Sequence, residues 1–174
     1  MKLSCAIALA VAAAFAAAGC AAPPPPPPTT TTPITSTPAT LSILGYSDGQ
    51  EVALVEGAQG GFHVWMQWAV ANLAPATVTL ERTAHRVSDG AVVLVYRGDV
   101  DVGAPGDDGS WSAPSPIPMF MCPSPIGIGV IDVPIDYTLR LLGDGDVELA
   151  RADITLIPEC PDDQRDFCTR ICTG

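Results

Sequence analysis

The stretch FHVWMQWAVA, residues 62–71, places apolar side chains at every second position. Successive side chains of a β-strand point to opposite faces, so this alternation predicts a strand with one face in a hydrophobic core. A second stretch, IDVPIDYTLRLL at residues 131–142, alternates in the same way. The core-facing set of the first stretch is Phe62, Val64, Met66, Trp68 and Val70.

Further strands are predicted around these two. They span residues 41–46, 51–55, 77–86, 91–97 and 147–157, the last with a bulge where Ala150 and Arg151 interrupt the alternation. Glycine-containing turns at 88–90 and 143–146 separate them. Many short strands without crossover helices predict an all-β fold, a single antiparallel immunoglobulin-like β-sandwich over residues 41–159. The segment 113–125 contains five prolines, so we expect a long loop or an edge strand there.

The charge balance narrows the classes of function. The 174 residues contain 8 Lys+Arg and 19 Asp+Glu, a net charge of −11. Nucleic-acid binding needs clustered cations, so this acidity argues against it. The single lysine, Lys2, lies in the leader described next. The rest of the chain therefore cannot form a lysine Schiff base or supply a P-loop lysine.

Residues 1–19 have the pattern of an export signal. Lys2 precedes an apolar run at 5–18, which is too short to span a membrane. The residues Ala17, Ala18, Gly19 and Cys20 resemble the lipobox of bacterial lipoprotein precursors, with Ala17 where that family usually has Leu. The resemblance implies cleavage before Cys20, acylation of its sulfur and a membrane anchor. Ala21 in place of Asp then suggests the outer membrane. The alternative is a plain secretory signal cut elsewhere.

Residues 20–40 form a Pro/Thr-rich segment. Six consecutive prolines at 23–28 lack N–H donors and have restricted φ angles, which predicts an extended, disordered stalk without helix or strand. At about 3.1 Å per residue, the eighteen residues 23–40 could hold a domain up to about 55 Å from the lipid. A bare spacer is favoured over a glycosylated one. The following segment GGFHVW at 60–65 resembles uncharacterised secreted lipoproteins of myxobacterial type, which implies a location but no activity.

Four cysteines remain after Cys20. An even number in an exported protein predicts two disulfides among Cys122, Cys160, Cys168 and Cys172. The tail 160–174 begins with Pro and Asp residues that suit a short helix, on which Cys168 and Cys172 would lie one turn apart. We therefore favour a pairing in which these two are not linked to each other and Cys122 is tied to the tail. A four-cysteine zinc site is the less favoured alternative, since the spacing lacks paired C-x₂-C motifs.

The two histidines and two of the tryptophans are the candidates for ligand binding. If 72–76 is a tight hairpin turn, His63 and His85 face each other and could share a metal with Glu81. If that link crosses between sheets, they are separated. Trp65 alternates away from the core residue Trp68, and Trp111 lies in a polar loop, so both are candidates for contacting a partner or sugar.

Catalytic patterns are weak. Asp99, Asp101, Asp107 and Asp108 surround a Gly/Pro loop and could suggest calcium or a glycosidase pair, but a solvated acidic turn is favoured. The Gly-x-Ser-x-Gly pattern does not occur. The sequence thus predicts a cell-envelope lipoprotein, not an enzyme and without a cofactor. It would present a binding or structural module to an unknown protein or glycan. A metal- or carbohydrate-binding domain is the alternative, and an envelope hydrolase is the weaker one.

Overall fold

The structure of the protein is a computed structural model that describes residues 37–173. The predicted signal peptide, the acylated Cys20 and the stalk up to residue 36 lie outside the described residues. Most of the described chain is β-structure, with ten strands and one α-helix, α1, at Arg165–Cys172. The strands are β1 Thr40–Leu44, β2 Gln50–Ala53, β3 Val55–Glu56, β4 Phe62–Ala71, β5 Ala76–Arg86, β6 Val92–Val102, β7 Ser110–Ser112, β8 Ile117–Cys122, β9 Ile135–Leu142 and β10 Glu148–Glu159.

The strands form two five-stranded sheets. In the first, which we call the β4 sheet, the long strand β4 lies in the middle. Strands β1 and β3 pair with it on one side, while β7 and β8 also pair with it, all of them antiparallel. The second, the β5 sheet, has the order β2-β10-β9-β5-β6. Its pairs are antiparallel except for β2 with β10, which is parallel.

The core lies between the sheets. All five alternating residues of β4, from Phe62 to Val70, are buried, as the sequence predicts. They pack against buried residues of the β5 sheet that include Leu80, Tyr137 and Leu139. The Tyr137 hydroxyl donates to Met121 Sδ at 2.9 Å and so joins the two sheets. A β-sandwich-like all-β fold is thereby confirmed.

Some predicted boundaries were wrong. The strand expected over 131–142 begins only at Ile135, because Asp132 has φ 57° and Pro134 lacks an N–H, so 131–134 forms a turn. Strand β6 extends to Val102, beyond the predicted end at residue 97. The register irregularity in β10 falls between Glu148 and Ala150, slightly earlier than predicted. The proline-rich segment contains β8, which pairs with β4 and lies at the side of its sheet, the edge-strand alternative.

The cysteine-rich tail follows the prediction. A 3₁₀ turn at Asp162–Gln164 leads into α1. Disulfides join Cys122 to Cys172 and Cys160 to Cys168, so the two cysteines on α1 have different partners and Cys122 is tied to the tail. Within residues 37–173, no helix is both long and apolar enough to span a membrane.

Candidate binding surfaces

The outer face of the β4 sheet has a cluster of aromatic and apolar side chains. We define the aromatic surface as Val55, His63, Trp65, Pro118 and Phe120. Cross-strand pairing brings them together, because β3 places Val55 beside His63, and β8 places Phe120 beside His63 and Pro118 beside Trp65. Alternate residues of β4 face the core, so the same strand supplies both the core and this surface.

The rings lie close enough to act together. The His63 ring is 4.0 Å from that of Phe120 and 5.6 Å from that of Trp65, centroid to centroid. Trp65 is 36% exposed, Phe120 44% and Val55 49%, whereas His63 is only 6% exposed. The Tyr46 hydroxyl donates to the carbonyl of Trp65 at 2.8 Å and supports the strand from the side. Exposed aromatic side chains on a strand that is hydrogen-bonded on both sides are well suited to bind a partner molecule.

His63 is the buried support of this surface. The sequence pattern placed it on the polar side of β4, yet Phe120 covers it and its ring lies directly against Gly57. Its Nδ1 has no hydrogen-bond partner among residues 37–173. Burial lowers the pKa of His63 below its ordinary value of 6.5, so the neutral imidazole is the favoured form. His63 therefore behaves as one of the aromatic rings rather than as a charged group.

The predicted facing pair of His63 and His85 is wrong. The link between β4 and β5 crosses from one sheet to the other instead of forming a hairpin, so the two histidines belong to different sheets. His85 instead lies opposite Asp136 on β9. Strands β4 and β5 each have an apolar face that must be buried. Both faces are buried in one core when the two strands lie in opposite sheets, so the link between them crosses from sheet to sheet.

Trp65 and Trp111 are also separated by the fold. Trp111, on β7, lies opposite Val70 of β4. Its ring packs against that of the core residue Trp68, with centroids 5.2 Å apart, so Trp111 extends the core. Trp65 lies on the outer face, 36% exposed. Its cross-strand partner there is Pro118, and its ring and that of Phe120 both lie against His63. The sequence analysis missed Phe120 because β8 was not predicted as a regular strand.

The β5 sheet has a contrasting, highly polar outer face. Three rows of side chains cross β5, β9 and β10 in register. They line an open depression of about 640 Å³ that also includes Asp48. The rows are His85, Asp136 and Thr155; Thr83, Thr138 and Asp153; and Glu81, Arg140 and Arg151.

Most charged groups of this polar face are already engaged with one another. Arg140 bonds Glu81 at 2.5 Å and Glu148 at 2.6 Å, and Arg97 joins the network through Glu81 at 3.2 Å. Thr155 donates to Asp136 at 2.7 Å. The hydrogen bond from Arg151 lowers the pKa of Asp153 below its usual value. The face is therefore a network of ion pairs and hydrogen bonds.

Three of the four acidic residues that suggested calcium or a glycosidase pair have local hydrogen-bond partners. Asp99 accepts from Thr79 at 3.2 Å and Asp101 from Thr77 at 2.6 Å, each across β5 and β6. Asp108 accepts from the backbone and hydroxyl of Ser110, which lowers its pKa. These hydrogen bonds stabilise the pairing of β5 with β6 and the turn before β7.

One group of metal-ligating side chains lies close together in the described part of the chain, namely Cys160, Cys168 and Cys172. All three sulfurs are in disulfides. A thiolate is the form that binds zinc, so this cluster is a disulfide staple in its oxidised state.

Comparison with known proteins adds little. No family model and no curated protein matches the chain. A solved structure from Bacteroides fragilis described as a "putative beta-galactosidase" aligns with 68% of this chain at 18% identity and a TM-score of 0.38. The aligned part of this chain corresponds to only 16% of that much longer protein.

Proposed function

We propose that the protein is a lipid-anchored cell-envelope lipoprotein that presents a non-enzymatic binding module. The observation that supports it most is the aromatic surface, where Trp65, Phe120 and Val55 are exposed side by side on one sheet face. Contiguous exposed apolar groups on a stable sheet mark interaction sites more often than they mark neutral surface. The lipobox-like Ala17 to Cys20 segment supports the anchor, and the Pro/Thr segment supports a spacer.

The partner that best fits the aromatic surface is a protein with an apolar centre and a basic rim. The centre matches the rings of Trp65 and Phe120. The rim matches the charge of this protein, which carries 19 acidic residues and a net charge of −11. Complementary charge steers association and selects against acidic partners. We further infer that the sandwich is of immunoglobulin-like kind, since its antiparallel strands pass repeatedly between two sheets.

The anchor is tested by intact mass spectrometry of the protein purified from its native membrane. We expect a mass of residues 20–174 plus acyl chains, and a Cys20→Ala variant that loses the acyl mass and leaves the membrane fraction. Four thiols should become alkylated only after reduction. An unlipidated native protein would contradict the anchor and leave the binding surface to be tested separately.

The binding surface is tested by photo-crosslinking in intact cells. A benzophenone amino acid at position 120 should give one discrete crosslinked product, and position 65 should give the same partner. The matched control is Val147, which is 60% exposed and immediately precedes β10 of the other sheet. Equal products from position 147, or none from 65 and 120, would contradict the assignment.

Affinity then tests the chemistry of the contact. With the identified partner, Trp65→Ala should weaken binding at least tenfold, because truncating a central aromatic residue typically costs about 2 kcal/mol or more. Raising the salt concentration should slow association if the partner's rim is basic. A glycan partner would instead appear as salt-independent binding with no protein crosslink.

A further inference from the structure

Arg82 is a buried cation without an acidic partner. It lies on the core side of β5, opposite Tyr96 of β6, and is 8% exposed. Five of the arginines in the described residues form ion pairs, and Arg82 is in none of them. Buried charges are normally paired because desolvation is costly, so an unpaired one calls for an explanation.

The contacts of Arg82 leave part of its guanidinium unused. One terminal nitrogen, Nη1, donates to the carbonyl of Pro118 at 2.7 Å. The guanidinium carbon lies 3.9 Å from the centre of the Tyr96 ring, a cation–π distance. Nε has no hydrogen-bond partner among residues 37–173. A guanidinium presents five donors in a planar fork, so the group retains capacity to bind a carboxylate.

A groove lies next to this cation. Strand β6 ends the β5 sheet and β8 flanks the β4 sheet, and the cavity between them is about 350 Å³. Its lining is mainly apolar and includes Leu80, Val100 and Ile117 together with Arg82 and Tyr96. Asp99 also lines it, and its carboxylate accepts a hydrogen bond from Thr79 at 3.2 Å. Although Tyr96 lies on the core side of β6, it is 50% exposed, so the opposite sheet does not close over it.

The Tyr96 ring covers part of the groove beside Gly98. A β-carbon at Gly98 would lie 3.0 Å from that ring, so the ring occupies the space that a side chain would need. The ring is the far part of a half-exposed side chain, and its rotation is the movement that a ligand needs to reach the covered edge of the guanidinium.

We propose that this groove binds a small amphiphilic monocarboxylate, with its carboxylate on Arg82 and its apolar chain along Leu80, Val100 and Ile117. The fork of Arg82 favours a planar carboxylate, and its buried position makes the ion pair stronger than one in water. The apolar lining adds hydrophobic burial of about 25 cal/mol per Å² of chain surface. This inference concerns a different surface from the proposed partner contact and stands or falls independently of it.

The probe is octanoate, titrated calorimetrically into the mature full-length protein below the concentration at which octanoate forms micelles. Acetate supplies the carboxylate without the chain, and octanol supplies the chain without the carboxylate. We expect saturable 1:1 binding of octanoate and at least tenfold weaker binding of the other two. Equal binding of octanol, or no octanoate binding at millimolar concentration, would overturn the proposal.

Two variants separate the site from the fold. Arg82→Gln removes the charge, and Gly98→Leu places an apolar side chain where the groove meets the Tyr96 ring, so it competes with the ligand chain while the arginine is retained. Each should weaken octanoate binding at least tenfold. The matched controls are Arg151→Gln, which removes an exposed charge paired with Asp153, and Val95→Thr, which alters an exposed residue of β6. Both should bind octanoate as the unmodified protein does. If Arg82→Gln does not fold, unchanged binding by Gly98→Leu still refutes the site.

Discussion

At the scale of single residues, His63 illustrates how neighbours change a side chain's role. It is a titratable residue at a position that the alternation of β4 directs away from the core. Phe120, which is distant in sequence, and Gly57, six residues before it, enclose it and make it part of an apolar cluster. An imidazole enclosed in this way resists protonation. The free energy of unfolding should therefore depend on pH.

We predict that acid weakens the native state through His63. Because its pKa is lowered in the folded protein, the unfolded state binds the proton more readily. The contribution of neutral His63 to the free energy of unfolding is therefore complete above pH 6.5, the ordinary pKa of histidine in an unfolded chain. It declines as the pH falls below that value. Urea unfolding at pH 7.5 and 5.5 should show an extra loss of roughly 1 kcal/mol compared with a His63→Phe variant. An identical pH dependence in both proteins would contradict this.

Gly61 provides a second test at this scale. A β-carbon there would lie 2.6 Å from the carbonyl oxygen of Cys122, a backbone atom that cannot move freely. We expect Gly61→Ala to destabilise the protein by about 1–3 kcal/mol, the usual cost of overpacking. Gly106→Ala is the control, because its β-carbon would meet nothing closer than 3.5 Å. Equal midpoints of urea unfolding for the two variants would show that the contact at Gly61 is relieved easily.

At the scale of elements, the tail is held to the sandwich by covalent bonds. The Cys122–Cys172 disulfide closes a separation of 50 residues, and Cys160–Cys168 closes one of 8. In the chain-entropy description, the longer loop restricts the unfolded state more. The two bonds should therefore contribute unequally.

We predict that the double variant Cys122→Ala/Cys172→Ala loses about 4 kcal/mol, and Cys160→Ala/Cys168→Ala about 2.5 kcal/mol. Paired replacement avoids free thiols in each case, so each variant is the other's control. Denaturant unfolding gives the comparison. A larger loss from the short-range pair would mean that strain or packing of α1, rather than loop closure, dominates.

Strand β8 shows what limits prediction at this scale. The five prolines of segment 113–125 correctly predicted an edge strand or a loop. They did not predict that this strand would pair with β4. Pairing with β4 places Phe120 beside His63 and Pro118 beside Trp65, which creates the aromatic surface. The outward position of Trp65 was therefore predictable, and its companions were not.

At the scale of the whole molecule, charge is the dominant collective property. With a net charge of −11, the folded protein repels itself, and salt screens that repulsion over a Debye length of about 10 Å at 0.1 M. The ion pairs of the polar face are screened as well, but each surface pair contributes little. Repulsion should therefore outweigh them in the response to salt.

We predict that raising NaCl from 20 to 300 mM increases the melting temperature, by about 2–4 °C if screening contributes about 1 kcal/mol. Replacing the exposed residues Asp107 and Asp144 with Asn should raise the melting temperature at low salt and reduce the salt effect. Calorimetry at both salt concentrations provides the measurement. A melting temperature that falls with salt would show that the Glu81–Arg140 network outweighs the repulsion.

The sequence by itself predicted seven of the ten described strands and the short helix of the tail. Alternation with a period of two depends only on strand geometry, so the core positions of β4 and β9 follow from local order. The placement of Cys168 and Cys172 one helical turn apart predicts that they have different partners, and the structure decides that Cys172 is the one joined to Cys122. These features involve neighbours along the chain, for which spacing alone gives the direction of each side chain.

Only the tertiary structure decided which strands share a sheet. The link between β4 and β5 suits a hairpin or a crossing equally well, and the choice depends on burying the apolar faces of both strands at once. That choice separates His63 from His85. The pairing of β8 with β4 brings Phe120 to His63, and the packing of the two sheets leaves Arg82 beside an open groove. Such contacts join residues far apart in sequence, so they stabilise the protein only once the whole core has assembled.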